Sequence, residues 1–442
     1  MFKPRTHHSR YNYVVAIPKS TDCLVYNFNT GALLRLSKAQ KLLFDLAPQF
    51  SQDHPVVKRW RELGFLSNSN ELEDLKSEVR ARYDDYAGRT DKVLRLTLHV
   101  TSLCTFACPY CFQERRSAHM LQEVQDQVVL LTEAKLGQGG YERMTVDWFG
   151  GEPLLAAHII DDLGHRLMDV AAQHKAGFSS NIHTNAYLLD QAMVDLLEGV
   201  NCRFAIVTLD GYGPDHDKTR HLHGGGATFE RILTNLSAIK TNMVLNIRSN
   251  LHADNFESYE KLQAAIGAIA KSTGNEMRCS PALVHTSSAG FKRGDPTIHL
   301  LSGEYHKILG TTDLEERSNT YTPKLFNCHV VQLDNYLIDD EGYLFPHCNE
   351  LAANRDFAYG NILDLDEGGL GRLDELHMAQ CLEYVLPTQD EECMQCELLT
   401  VCYGGCLLAR LGAKSSCMKN PERIDAYLLK KAGISSQTKV GR

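Results

Sequence analysis

In the segment LHVTSLCTFACPYCFQE, Cys104, Cys108 and Cys111 are separated by three and then two residues. Three thiolates this close can hold three irons of a [4Fe–4S] cubane and leave the fourth iron without a protein ligand, open to chemistry. The same trio with His119 as a fourth ligand would instead suit a structural zinc ion. A larger set lies toward the C-terminus, where Cys393, Cys396, Cys402 and Cys406 follow at intervals of two, five and three residues. Cys417 lies beyond them, Cys328 and Cys348 lie upstream, and Cys381 falls between; of the 14 cysteines only Cys23, Cys202 and Cys279 are scattered. A secreted chain would oxidise such thiols to disulfides, yet MFKPRTHHSRYNY is polar and basic with no apolar signal segment, and no run reaches the ~18 apolar residues of a membrane helix. The expectation is a cytoplasmic protein, without a membrane partner, whose clustered thiols hold metal. A net charge of -9 with 43% hydrophobic and 23% charged residues fits a globular protein and argues against a nucleic-acid partner.

Pro109 and Tyr110 before the last cysteine, with a strand-like run just upstream, resemble the signature of the radical S-adenosylmethionine (SAM) enzymes. Further features of that family follow in order. Gly150-Gly151-Glu152-Pro153 closes a second strand; the glycines allow close backbone approach, and the resemblance implies that this turn binds the methionyl amine of SAM. His183-Thr184-Asn185 ends a third strand where the family often has Thr-Asn-Gly; Ala186 stands in place of the glycine. Thr208-Leu209-Asp210-Gly211 resembles the family's Ser-x-Asp-Gly, which makes Asn185 and Thr208 expected SAM contacts. Arg220, and Arg248 with Asn250, match positions where relatives hold the SAM carboxylate or shape the pocket. What the family implies is reductive cleavage of SAM to a 5′-deoxyadenosyl radical, driven by an external one-electron reductant of flavodoxin or ferredoxin type. That radical abstracts hydrogen from an unactivated carbon.

The C-terminal cysteines resemble the SPASM extension of the same family, which binds two auxiliary [4Fe–4S] clusters, for three in all. The resemblance implies that Cys393, Cys396, Cys402 and Cys417 ligate one cluster and Cys328, Cys348 and Cys406 the other. Five residues separate Gly342 from Cys348 rather than the usual four, and the fourth ligand of the second cluster is Cys279, Cys381 or none. Paired CxxC units would also suit zinc. Asp147, on a strand, is a possible base for a substrate proton, and Tyr110 and Phe112 beside the first trio are either packing or substrate contacts.

These residues must be positioned by a parallel sheet. VLRLTLHVT, MTVDWFGG, SSNIHTNAYLL, CRFAIVTLDG, MVLNIRSNL and MRCSPALV read as six strands, with helical stretches such as VQDQVVLLTEAKL and FERILTNLSAIKT between them. That pattern predicts an α/β domain over 89–287, open or rolled into a partial (β/α)6 barrel, with chemistry at the C-terminal strand ends. A bridge over 288–325, with a short helix around Gly303 to Leu309, leads to a cysteine-rich domain over 326–442 that ends in a helix in PERIDAYLLKKAG. Residues 1–88 read as strands, a turn at Asn29-Thr30-Gly31, a helix capped by Ser37, and a second helix that stops at Gly64. This winged-helix-like unit resembles a RiPP recognition element, which binds leaders of ribosomally made peptides at a strand edge. The combined resemblance implies a maturase that forms a carbon–carbon or carbon–heteroatom cross-link, such as a thioether, in a precursor peptide with a leader. The alternatives are a sulfatase-maturase-like oxidation of Ser or Cys to formylglycine, and a non-catalytic iron–sulfur carrier.

Overall fold

The computed structural model describes residues 6–87, 92–113, 116, 118–251, 255–283, 334–366, 373, 390–404, 419 and 421–434. Cys328, Cys381, Cys406, Cys417 and the helix expected around Gly303 to Leu309 lie outside the described residues.

The N-terminal unit contains β1 (His7–His8), β2 (Asn12–Ala16), β3 (Cys23–Asn27), β4 (Leu33–Leu36) and β5 (Leu66–Ser67). Strands β2, β3 and β4 form an antiparallel sheet in that order, and β1 pairs with β5. Its helices are α1 (Lys38–Leu46), α2 (Pro55–Glu62) and α3 (Glu71–Ala87). Ser37 and Gln40 make a reciprocal capping box at the start of α1, satisfying two backbone donors that the helix itself cannot. Gly64 ends the turn after α2 at φ +84°, where a Cβ would meet Thr30 Cγ2 at 2.4 Å. The buried Asn27 side chain ties this corner together: its amide donates to Gly64 O at 2.8 Å, and its oxygen accepts from the backbone of Asn29 and Thr30.

Six parallel strands follow: β6 (Val93–Thr101), β7 (Arg143–Gly150), β8 (Gly177–Thr184), β9 (Cys202–Thr208), β10 (Val244–Leu251) and β11 (Met277–Leu283). Their connections carry α4 (Gln122–Gly137), α5 (Ala157–Gln173), α6 (Gln191–Gly199), α7 (Pro214–Thr219), α8 (Phe229–Ala238) and α9 (Phe256–Thr273). The sheet continues past β6 with β12 (Asn335–Ile338), parallel to it, then β13 (Tyr343–Phe345) and β14 (Gly360–Asn361), both antiparallel to their neighbours. The C-terminal region thus supplies strands to the central sheet, which its irregular sequence did not suggest. Beyond it lie the short helices α10 (Glu391–Met394) and α11 (Leu399–Cys402), and α12 (Pro421–Lys431). No helix among the described residues is long and apolar enough to cross a membrane.

Alternation along the strands divides the sheet into two faces. Leu96, Leu98, Val146, Trp148, Ile182, Val207 and Ile247 point into a fully buried core shared with the helices. The other face is polar. Register aligns Thr97 with Asp147 and Asp147 with Asn181, and Asn181 donates to Asp147 Oδ1 at 2.8 Å. One step toward the C-terminal ends, the rings of His99 and Phe149 stack at 5.1 Å and those of Phe149 and His183 meet at 4.8 Å. Parallel strands buried on both faces are usually apolar throughout, so a polar face on such a sheet marks a surface that meets ligand or solvent.

Candidate functional site

The cysteine trio sits on the long connection from β6 to α4, and both its ends and its middle are anchored. Thr101 bridges His119, and Ser102 N–H donates to Ala118 O at 3.1 Å, which closes the loop at its base. In the middle, Phe106 is buried, bridges Leu222, and packs its ring against Tyr187 at 5.8 Å, while Ala107 N–H donates to His221 O at 2.9 Å. His119, considered as a zinc ligand, is therefore part of the loop closure, with its ring edge-on to His158 at 5.8 Å. Cys104 and Cys108 are half-buried and Cys111 is exposed. Burial pushes the Cys104 thiol up to about 11, although Phe106 N–H donates to its sulfur at 3.4 Å. Such a thiol is protonated at neutral pH, and binding a cation there would release the proton. The donor set fits an iron–sulfur cluster: soft thiols on an anchored loop, with a backbone N–H already aimed at one sulfur. Among the described residues, no three His, Cys, Asp or Glu side chains converge tightly enough to hold a single metal ion.

The turn that follows β7 is shaped by this loop. A Cβ on Gly150, at φ +125°, would lie 2.2 Å from Thr101 O, and one on Gly151 would lie 2.1 Å from Leu103 O. Gly151 N–H and Glu152 N–H donate to those same carbonyls at 2.8 and 2.7 Å. The close approach that the glycines allow is thus to the cysteine loop itself. Glu152 turns inward and is fully buried, accepting from Thr184 Oγ1 at 2.6 Å, Asn185 N–H at 2.7 Å and Leu154 N–H at 3.2 Å. Its carboxyl is raised above the usual range by burial, against which these donors work. Pro153 begins the single turn that leads to α5. Asn185 donates from its side chain to Thr105 Oγ1 at 3.0 Å, so the end of β8 touches the cysteine loop directly. Ala186 occupies the left-handed region at φ 59°, where glycine would be unstrained, and Asn235 caps the carbonyls of Ala186 and Tyr187 at 2.9 Å each.

Arg220 and Tyr110 meet beneath the loop. Tyr110 donates its hydroxyl proton to the buried Asp210 Oδ2 and accepts from Arg220 Nη1 at 2.9 Å. Burial opposes the Arg220 charge most strongly, but Tyr110, Cys108 and Asp210 together hold its pKa above the ordinary value. The guanidinium also lies over the Phe106 ring at 5.6 Å, and its Nε is buried with no partner among the described residues. Asp210 Oδ1 accepts from Asn250 N–H at 3.3 Å, joining the ends of β9 and β10. Thr208 and Arg248 are register partners; Arg248 is exposed and donates to Asn250 Oδ1 at 3.2 Å. The network gives Tyr110, expected to be a packing or substrate contact, and Asp210, named only within its strand-end motif, a shared place beside Arg220. The pairing of a strand-end aspartate with a later arginine was the available sequence signal.

Sequence placed His183 at the end of a strand, in His183-Thr184-Asn185, and gave its ring no role. Burial pushes it down to about 4, helped by Arg248, His99 and His347, so its ring is neutral at pH 7. Asp147 lies on the same polar face, with its carboxyl raised by burial despite the Asn181 hydrogen bond.

In the C-terminal set, Cys348 lies between two residues fastened to the polar face of β6. His347 Nε2 and Thr97 Oγ1 are 2.9 Å apart, and His99 Nε2 donates to Asn349 Oδ1 at 3.0 Å. Cys279 is the register partner of Ile247, on the helix-covered face, where it packs against the central core with its thiol pushed up to about 11 by burial. Its neighbour Ser280 points the other way, donating to Asn246 Oδ1 at 2.7 Å. Cys279 thus lies on the helix-covered face, whereas the residues on either side of Cys348 meet the polar face of β6. Cys393 is on α10, Cys402 ends α11, and Cys396 lies between them with Leu398 N–H donating to its sulfur at 3.4 Å. This repeats the arrangement of Cys104 and Phe106.

Residues 98–266 match the family model of the radical SAM superfamily. The chain is 35% identical over 129 residues to GTP 3′,8-cyclase of Synechococcus sp. (strain CC9902), a match that covers 29% of this chain and only 34% of that relative. Among solved structures it is similar to native anSMEcpe with bound AdoMet and Cp18Cys peptide, at a TM-score of 0.53 and 17% identity over 77% of this chain and 97% of that one. It is also similar to Streptococcus suis SuiB bound to precursor peptide SuiA, at a TM-score of 0.50 and 14% identity over 93% and 97%. At these identities the likeness is one of fold.

Proposed function

From a radical SAM domain over residues 98–266, we propose that this chain is a radical SAM maturase that forms an intramolecular cross-link in a ribosomally made precursor peptide. The observation that carries the reading is the anchored trio of Cys104, Cys108 and Cys111, locked to the Gly150–Pro153 turn on one side and to the Tyr110–Asp210–Arg220 network on the other. A [4Fe–4S] cluster with one open iron, together with SAM, would supply a radical able to take hydrogen from an unactivated carbon. Around it, the carbonyls of the Gly150–Gly151 turn would accept from the methionyl ammonium, and the spare Nε of Arg220 would serve the carboxylate. Asn185, Thr208 and Arg248 line the same strand ends. The polar face below, with Asp147, His183 and Asn181, offers hydrogen-bonding groups for a peptide, and Cys348 would hold auxiliary metal beside it. The remaining cysteines, Cys328, Cys393, Cys396, Cys402, Cys406 and Cys417, complete the proposed auxiliary pair.

The N-terminal unit supports a peptide substrate because its antiparallel sheet has an edge to which an extended leader can add. Two of the similar folds, anSMEcpe and SuiB, were solved with peptides bound, which favours the same substrate class here.

Anaerobically reconstituted protein should approach about 12 irons per chain and make 5′-deoxyadenosine from SAM with a strong reductant. Co-expression with a precursor peptide, sought in the neighbouring open reading frame, should give a product lighter by two hydrogens and resistant to fragmentation across the ring. Iron near four per chain would defeat the auxiliary clusters, and 5′-deoxyadenosine from Cys104→Ala would defeat the catalytic assignment.

A further inference from the structure

The N-terminal unit does not stand apart from the C-terminal cysteines. Tyr11, Val15 and Tyr26 of the first sheet share one apolar core with Met394, Leu398, Leu399, Ile424 and Leu428. Through this interface Arg10 reaches the residue between two thiols: its Nη2 donates to Met394 O at 2.6 Å, inside the turn from Cys393 to Cys396. The segment that carries it is fixed by Glu71, whose carboxylate accepts from Ser9 Oγ at 2.6 Å and from Arg10 N–H at 2.9 Å. Those two bonds occupy the carboxylate on the backbone and the serine, and among the described residues no ion pair to the Arg10 guanidinium is found. Its Nε is buried with no partner there.

A buried donor without a partner, on a guanidinium that makes no ion pair among the described residues, suits an anion bound beside the two thiols. Residues 390–404 contain no Lys, Arg or His to offset thiolates there. Asp390, Glu391, Glu392 and Glu397 surround the turn, and Lys419, 2.9 Å from Glu397, is already paired. Two or more thiolates placed among these acids would repel one another unless a positive charge stood close by.

We infer that Arg10 is a positioning residue of the C-terminal metal site, holding the Cys393–Cys396 turn by its carbonyl and offsetting the charge of the thiolates and the cluster they bind. This rests on the reading of Cys393, Cys396 and Cys402 as cluster ligands. It makes the N-terminal unit one wall of the metal site rather than only a peptide-docking module.

A positive charge stabilises the reduced, more negative state of a cluster, so removing it lowers the potential. In the full reconstituted chain, Arg10→Gln should keep its iron but lose about tenfold in the reduction equilibrium constant of the C-terminal cluster, a fall of about 59 mV for one electron. Redox titration followed by electron paramagnetic resonance reads this directly. Arg10→Lys, which keeps the charge, should restore most of the shift, and the signal of the Cys104 site should not move. If Arg10→Gln precipitates, Arg10→His decides, because its potential should depend on pH between about 6 and 8. Equal potentials in wild type and Arg10→Gln, or a flat pH profile in Arg10→His, overturn the inference. Wild-type iron that is unchanged in Cys393→Ala instead overturns the ligand assignment on which it stands.

Discussion

Glu152 is a fully buried carboxylate held by two backbone N–H groups and one hydroxyl from the ends of β7 and β8. Replacing it with glutamine sets amide hydrogens against those donors, so Glu152→Gln should destabilise the central fold by about 1–3 kcal/mol in a denaturant melt. The neighbouring glycine acts on the metal site. In Gly151→Ala the new methyl meets the Leu103 carbonyl, a backbone atom that cannot swing aside. The cysteine loop must then lift, and about four irons per chain should be lost with the far-ultraviolet dichroism unchanged; full iron in that variant would show that the loop tolerates the shift. His183 makes stability depend on pH. Its folded pKa of about 4 lies below the ordinary 6.5, so the unfolded chain binds more protons between those values and stability falls as pH drops through that window. The full contribution is on the order of 3 kcal/mol, and His99, also lowered by burial, adds to it in the same direction. The thermal midpoint of His183→Asn should therefore fall less than that of wild type between pH 7 and about pH 5.

At the scale of elements, the strand-to-loop junctions carry the site, and much of each element was legible beforehand. The six core strands follow from their apolar residues and spacing, and the Ser37 and Gly64 boundaries follow from local capping and turn chemistry. The alternation of polar and apolar residues was present in NIHT and NIRSN, but which face the helices would cover depends on the crossovers. Cys279 illustrates the limit: as a lone thiol it was a possible ligand, and only its register with Ile247 puts it behind the sheet. The loop with the three cysteines depends on one aromatic anchor. Phe106→Ala removes a buried ring that packs against Tyr187 and lies under the Arg220 guanidinium, and should cost about 3–5 kcal/mol and loosen the first cluster. Parallel measurement of iron content and chemical denaturation tests both halves of that expectation.

For the whole molecule, the shared core of the first sheet and the last helices sets what a truncation can report. Deleting residues 1–88 would expose Met394, Leu398, Leu399, Ile424 and Leu428 together, a contiguous apolar patch of the kind that drives association. Such a protein should aggregate on size-exclusion chromatography or lose iron from its C-terminal site, whether or not the N-terminal unit binds a leader. Peptide binding is better tested by substitutions on the exposed edge of that unit than by its removal. A monodisperse truncated chain with undiminished iron would show that the interface is dispensable.

What the sequence determined by itself was local: thiol spacing, glycine turns, caps and strand periodicity each arise within a few residues, so their chemistry can be read along the chain. The tertiary structure decided which atoms those motifs address. Glu152 turned to β8 rather than to a ligand, Tyr110 met Asp210 and Arg220 about a hundred residues away, and Arg10 reached a carbonyl between two cysteines at the far end of the chain. Such contacts depend on how separate faces pack to bury apolar surface, and no short window of sequence records that packing.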